Sequence, residues 1–259
     1  MMRRSLSVAL GAALLMAAGA AVPAERIGYL APGSFDILGV LPPAPVPGDP
    51  RYDADRRVFR HTRRLLGTPR GDMAVNDVQP APAAMLQDYG CALGISLTPD
   101  RVPLTIAVIE KASLDTNAQK DRAKDFYKRS RPFLIDRGAV CQPRDKLART
   151  WDYPSGHTTG SWTWALILAD LAPDHAAAIL ARGRAFGQSR AVCGAHNASA
   201  VEAGWMTADV TMAAVRTTPA FQNDLAAARA EFAAARREAG APDVARCAAE
   251  HALVGQRIY

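Results

Sequence analysis

Apart from its first residues, the chain has no run that is both long and uncharged, and a membrane-spanning helix needs about 20 consecutive apolar residues. An integral membrane protein is therefore not expected. Its four cysteines, Cys91, Cys141, Cys193 and Cys247, form no CxxC or Cys/His pair, so nothing in their spacing marks a zinc site. There is no dense basic stripe of the kind a nucleic-acid binder carries, which speaks against nucleic acid as a partner. Strand-like alternation and internal repeats are also missing.

The N-terminus carries Arg3 and Arg4, an apolar run from Leu6 to Met16, and then small residues, the pattern of a secretory signal. Cleavage is expected after Ala24, or near Ala18-Gly19-Ala20; the alternative is a membrane anchor, for which the run is short. We expect an exported, periplasmic protein with no membrane insertion after the signal, residues 1–24, is removed. Loss of Arg3 and Arg4 lowers the formal charge from +6 to +4, mildly basic and suited to small anions. The remainder is long enough for one core and one domain. An even number of cysteines in an exported chain permits disulfides, and three pairings are open. Cys193 also fits a buried free thiol.

Residues 25–50 end in LPPAPVPGDP, whose prolines exclude regular helix and predict an extended surface lead-in. Residues 51–240 read as an all-α, single-domain helical bundle. Helix is expected near Asp53–Leu66 and through the charged stretch that ends near Arg131, where Pro132 disfavours α conformation before it. Pro132 to Tyr153 reads as a long loop. Ser155 is a candidate N-cap for a helix to Leu171 that is apolar nearly all round, hence central. Further helices are expected from Asp174, over 201–216, and from Pro219 to Gly240. The tail, 241–259, shows no clear pattern.

Three segments carry chemistry. Lys124 and Arg131 stand seven residues apart, two helical turns, so both are expected to project from nearly the same face, about 10 Å apart along the axis, and to converge on one anion. Arg131 offers a planar fork for phosphate oxygens, Lys124 a point charge. Pro154-Ser155-Gly156-His157 places unpaired backbone N–H groups and positive dipole at a helix start. Glycine at 156 admits close approach of a ligand, and the Ser155 hydroxyl can donate to a phosphate oxygen. Ser189-Arg190 and His196 add a third cation and an imidazole able to attack phosphorus. Taken singly, these are ordinary solvated charges, a cap and structural histidines. Lys120, Arg122, Lys128 and Arg129 read as a solvated helix face, and His61, His175 and His251 as surface residues.

In this order and spacing the segments resemble the K-x6-RP … PSGH … SR-x5-H-x3-D signature of the phosphatidic acid phosphatase type 2 superfamily. The stretches LPPAP, KDFYKRSRPF, DYPSGHT, GQSRAVCGAH and TTPAFQNDL look like its secreted branch, the class A bacterial non-specific acid phosphatases, over roughly residues 38–235. The resemblance implies an all-α fold and hydrolysis of small-molecule phosphate monoesters at acidic pH, with no metal or other cofactor, through a phosphohistidine. In it, Lys124, Arg131, Arg190, Ser155 and the Gly156 backbone hold phosphate, His196 attacks, and His157 protonates the departing alcohol. It is also compatible with a homo-oligomer.

The chain departs from that signature at its last position, where Ala200 stands in place of aspartate; Ala195 and Asn197 replace the aromatic residues usual beside the nucleophile. The signature's aspartate accepts the second ring N–H of the nucleophile. Glu202, the nearest downstream carboxylate, would face away on a helix; a backbone carbonyl, Ser199 or water could substitute. On sequence alone, adding Asp at 200 is expected to raise the rate. Two alternatives stay open: a phosphate-binding relative without turnover, and a lipid phosphatase or vanadate-dependent haloperoxidase built on the same anion pocket.

Overall fold

The computed structural model describes residues 27–259, so the signal expected at 1–24 lies outside the described residues. Ten α-helices follow, and the described residues contain no strand. They are α1 Pro50–Thr62, α2 Pro69–Asn76, α3 Pro82–Leu93, α4 Pro103–Tyr127, α5 Arg144–Leu147, α6 Gly156–Leu171, α7 Ala176–Val192, α8 Ala198–Val215, α9 Pro219–Glu238 and α10 Val244–Val254.

Proline starts much of this architecture. α1, α2, α3, α4 and α9 each open on proline, where the missing N–H costs nothing and φ is already helical. Asp49, Thr68 and Thr218 cap three of these starts by accepting a backbone N–H. α6 is the central helix: Thr163, Ala165, Ile167 and Leu168 are fully buried, and it packs against α4, α7, α8 and α9. Around it Ile109, Ile179, Phe186, Met212, Phe221 and Phe232 close the main core, each worth about 1.5–3 kcal/mol on burial.

Several expectations need correction. α4 ends at Tyr127, with Lys128 left-handed at φ 46°, and Arg131 is extended at φ −72°, ψ 153°. Lys124 and Arg131 therefore do not share a helix face; a turn of chain brings them together. The 132–153 segment holds the single turn α5, and the featureless tail contains α10, capped by Asp243. Helices α2 and α3 answer to no pattern read from the sequence. Cys193 is not a free thiol: the pairs are Cys141–Cys193 and Cys91–Cys247. The second clips α10 to α3 across a sequence separation of 156 residues, the long-loop case in which a crosslink restricts the unfolded chain most. The lead-in is mostly exposed but not extended throughout: it holds a 3-10 turn, Ile37–Gly39, and is anchored by buried Ile37 and Leu41 and by the Tyr153 hydroxyl, which donates to the Pro42 carbonyl at 2.8 Å.

Candidate active site

The three charged segments meet at one place, bordered by two small apolar clusters. One contains Leu41, Ala123, Tyr153 and Ala200; the other contains Phe133, Leu147 and Ala195. Backbone hydrogen bonds tie the segments together. The Ser155 N–H donates to the Ala200 carbonyl at 2.8 Å, and the Asp152 N–H to the Arg129 carbonyl at 2.9 Å. Gly204 lets α8 lie against the start of α6, because a Cβ there would stand 2.9 Å from the Ser155 carbonyl oxygen.

Lys124, Arg131 and Arg190 are all buried, at 8 %, 5 % and 0 % exposure, and none has a carboxylate in salt-bridge contact among the described residues. Arg131 is held by neutral acceptors: Nε donates to the Thr150 carbonyl at 2.9 Å, Nη2 to Thr150 Oγ1 at 2.7 Å and Nη1 to the Ala195 carbonyl at 2.7 Å. The Lys124 ammonium donates to the Trp151 carbonyl, and Arg190 Nη2 to Gln142. Arg190 Nε and Nη1 are buried with no acceptor. Burial lowers all three groups; repulsion from Arg131 adds to it for Lys124, which falls to about 7, and for Arg190, which falls to about 9, while Asp152 opposes it at Arg131. Fully buried, unpaired cations are expensive and persist where an anion completes them.

His196, 3 % exposed, sits among them. Its Nδ1 lies 2.8 Å from the Asp152 carbonyl oxygen and 3.0 Å from Asp152 Oδ1. The backbone carbonyl can only accept, so Nδ1 carries the proton and Nε2 keeps its lone pair. Arg131 Nη1 donates to that Nε2 at 3.0 Å. Burial and the three cations push the imidazole well below its usual range, so it is neutral.

At the start of α6, Ser155 is the N-cap and fully buried; its Oγ accepts from Thr158 Oγ1 at 2.9 Å, which leaves its own proton to donate. A Cβ at Gly156 would come 3.0 Å from Lys120 Cδ, so glycine also makes room for that side chain. His157 is half-buried, with Nε2 3.2 Å from the Val78 carbonyl. Burial, then Arg190, lower it to about 3. A cleft of about 500 Å³, walled by Met85, Ile109, Trp164 and Phe186, opens onto Gly156 and His157.

The structure thus brings Lys124, Arg131, Arg190, His157 and His196 within electrostatic reach of one another, with Ser155 and Gly156 at the start of α6. Sequence reasoning missed the layer behind them. Arg129, assigned to the solvated face, is 7 % exposed and bonds Asp55 and Ser199. Asp152, buried completely, lies two residues before the Pro154-Ser155-Gly156-His157 segment, the only signal it gave. Lys120 lines the cleft, whereas Arg122 and Lys128 are exposed as expected. Glu202 does face away, at 4.0 Å from Arg51. His61 and His251 are exposed, and His175 is part-buried with Nδ1 3.1 Å from the Ala92 carbonyl.

A profile described as the PAP2 superfamily matches residues 104–223. An "Acid phosphatase" of Zymomonas mobilis subsp. mobilis is 41% identical over 217 residues, covering 83% of this chain and 82% of that protein. The chain belongs to the PAP2 superfamily. Two relatives named "Non-specific acid phosphatase" are each 34% identical. The one from Providencia stuartii covers 77% of this chain and 82% of its own length, and the one from Salmonella typhimurium 74% and 78%. The PAP2 match spans the ends of the site, from Lys124 to His196, and takes in the Ala200 position where the residue differs from the signature.

Proposed function

We propose that the protein is an exported, periplasmic acid phosphatase that hydrolyses phosphate monoesters through a phosphohistidine on His196. The observation that carries this reading is the set of three buried cations, none paired with a carboxylate, around the Nε2 lone pair of a neutral histidine. The names of the relatives point the same way.

Phosphate enters against Lys124, Arg131, Arg190 and the N–H groups at the start of α6, taking up the free Nε and Nη1 of Arg190 and the Arg131 N–H that rests on His196. His196 Nε2 attacks phosphorus as the bond to the alcohol oxygen breaks. With its Nε2–H on the Val78 carbonyl, His157 has Nδ1 left to carry the proton that the departing alkoxide takes. The alcohol leaves through the adjoining cleft. Water, its proton taken by His157, then attacks the phosphohistidine; the P–N bond breaks, and phosphate and neutral His196 are regenerated.

Charge in the cage does most of the work, as phosphoryl transfer requires, and the cations supply it without a metal. The acidic optimum has a physical basis. The empty cage keeps His157 neutral, and bound phosphate offsets the same cations and lets the imidazole gain its proton. The cleft walls favour aromatic or apolar leaving groups over small polar ones.

Turnover of p-nitrophenyl phosphate between pH 4 and 8, compared with His196→Ala, tests the reading. A loss of at least ~10³-fold in the variant is expected for removal of a nucleophile. Turnover no higher than the variant's, with inorganic phosphate still bound, would leave a phosphate-binding protein without catalysis.

A further inference from the structure

We infer that Asp152 is the positioning carboxylate of His196, serving from the segment before α6 the role that the superfamily signature gives to the residue occupied here by Ala200. The inference rests on the phosphohistidine reading and deepens it.

The geometry is specific. Asp152 Oδ1 lies 3.0 Å from His196 Nδ1 and accepts the Asn197 backbone N–H at 3.2 Å; Oδ2 accepts the Asn197 amide at 2.8 Å and faces Arg129 Nη1 at 3.6 Å. Every group facing the carboxylate is a donor, the setting of an ionised acid. Burial pushes Asp152 up, and Arg129, then Asn197, Arg131 and Lys124, act against that push. Its backbone is pinned to the Arg129 carbonyl, so one residue joins all three segments. The Asn197 side-chain amide is the group that orients this carboxylate.

Position 200 offers no competing function. Ala200 is fully buried among Ile37, Leu41, Ala123, Tyr153 and Ala203, an apolar setting, while its carbonyl holds the Ser155 N–H. The Asp152 backbone carbonyl already fixes the Nδ1–H tautomer. What the side chain adds is negative charge. When Nε2 bonds to phosphorus the ring becomes cationic, and a carboxylate on Nδ1–H stabilises that cation. This separates the role of Asp152 from plain hydrogen bonding.

The test is Asp152→Asn alongside Ala200→Asp in the full chain, with folding checked by circular dichroism. Asp152→Asn is expected to lower kcat for p-nitrophenyl phosphate by about 10²-fold, a smaller loss than the ~10⁴ of spoiling a triad aspartate because the backbone carbonyl keeps the tautomer. The inhibition constant of inorganic phosphate should stay within threefold, a split that a merely structural role would not produce. Ala200→Asp should bring no gain in kcat, since Nδ1 already has its carboxylate. A kcat within threefold of the parent for Asp152→Asn, or a tenfold gain for Ala200→Asp, would overturn the assignment. If His196→Ala keeps its turnover, the phosphohistidine reading itself fails, an outcome distinct from either.

Discussion

Helix α7 buries two arginines eight residues apart, Arg182 and Arg190, and treats them in opposite ways. Arg182, 2 % exposed, has Asp77 at 2.6 Å, Asp88 at 3.7 Å and Glu250 at 3.5 Å, and these carboxylates raise it despite burial. Arg190, 0 % exposed, has Gln142 and no carboxylate in contact, and burial lowers it to about 9. The first is a finished network that fixes α10 and α2 to the bundle. The second is an unfinished one, completed by an anion. Burial alone does not mark a functional charge: of these two, it is the one without a carboxylate in contact that belongs to the proposed phosphate site.

Breaking the first network should cost most. Arg182→Ala leaves Asp77 buried without its partner, and we expect a stability loss of about 3–5 kcal/mol in denaturant unfolding, with the activity of the remaining folded protein preserved. Arg190→Ala should invert that pattern. It removes an uncompensated charge, so its melting temperature should match or exceed the parent's, while kcat/KM falls about 10²–10³-fold, some 3–4 kcal/mol of transition-state binding. If both variants lose stability alike, the contrast is wrong. Inorganic phosphate should raise the melting temperature of the parent, by an amount equivalent to about 2.7 kcal/mol at a hundred times its Kd, and much less that of Arg190→Ala.

The smallest effect concerns Lys124. With its ammonium lowered to about 7, the free enzyme loses one charge of the cage as pH rises through that value, so kcat/KM should fall on the alkaline side near pH 7. Lys124→Arg stays charged. Whatever its absolute rate, its alkaline limb should move to higher pH, and an unmoved limb would assign that limb to another group.

Much of this was legible in the residues, for reasons that also explain the gaps. The apolar circumference of α6, the Ser155 cap and the order of the charged segments follow from local spacing, and local spacing is what a sequence displays. Lys124 and Arg131 were rightly placed at one site for the wrong reason, since the left-handed Lys128 ends the helix between them. Helices α2 and α3 were legible in principle, because each starts on a proline, Pro69 and Pro82, and α2 also has the Thr68 cap. Arg129 was misread because a charge beside other charges looks solvated; its partner Asp55 lies 74 residues earlier in the chain. Asp152 escaped for the same cause. A carboxylate in the helix after His196 would show in local spacing, whereas Asp152 lies 44 residues upstream. The cysteine pairing, likewise, is set by the fold and left no local trace.

The account turns on His196 carrying the phosphoryl group inside the cation cage. The most direct measurement is a rapid alkaline quench of the full chain during turnover of a ³²P-labelled aryl phosphate, followed by peptide mapping. The expected result is an acid-labile, base-stable label on the peptide containing His196, absent from His196→Ala. Turnover with no trapped label, or a label that survives in that variant, would contradict it.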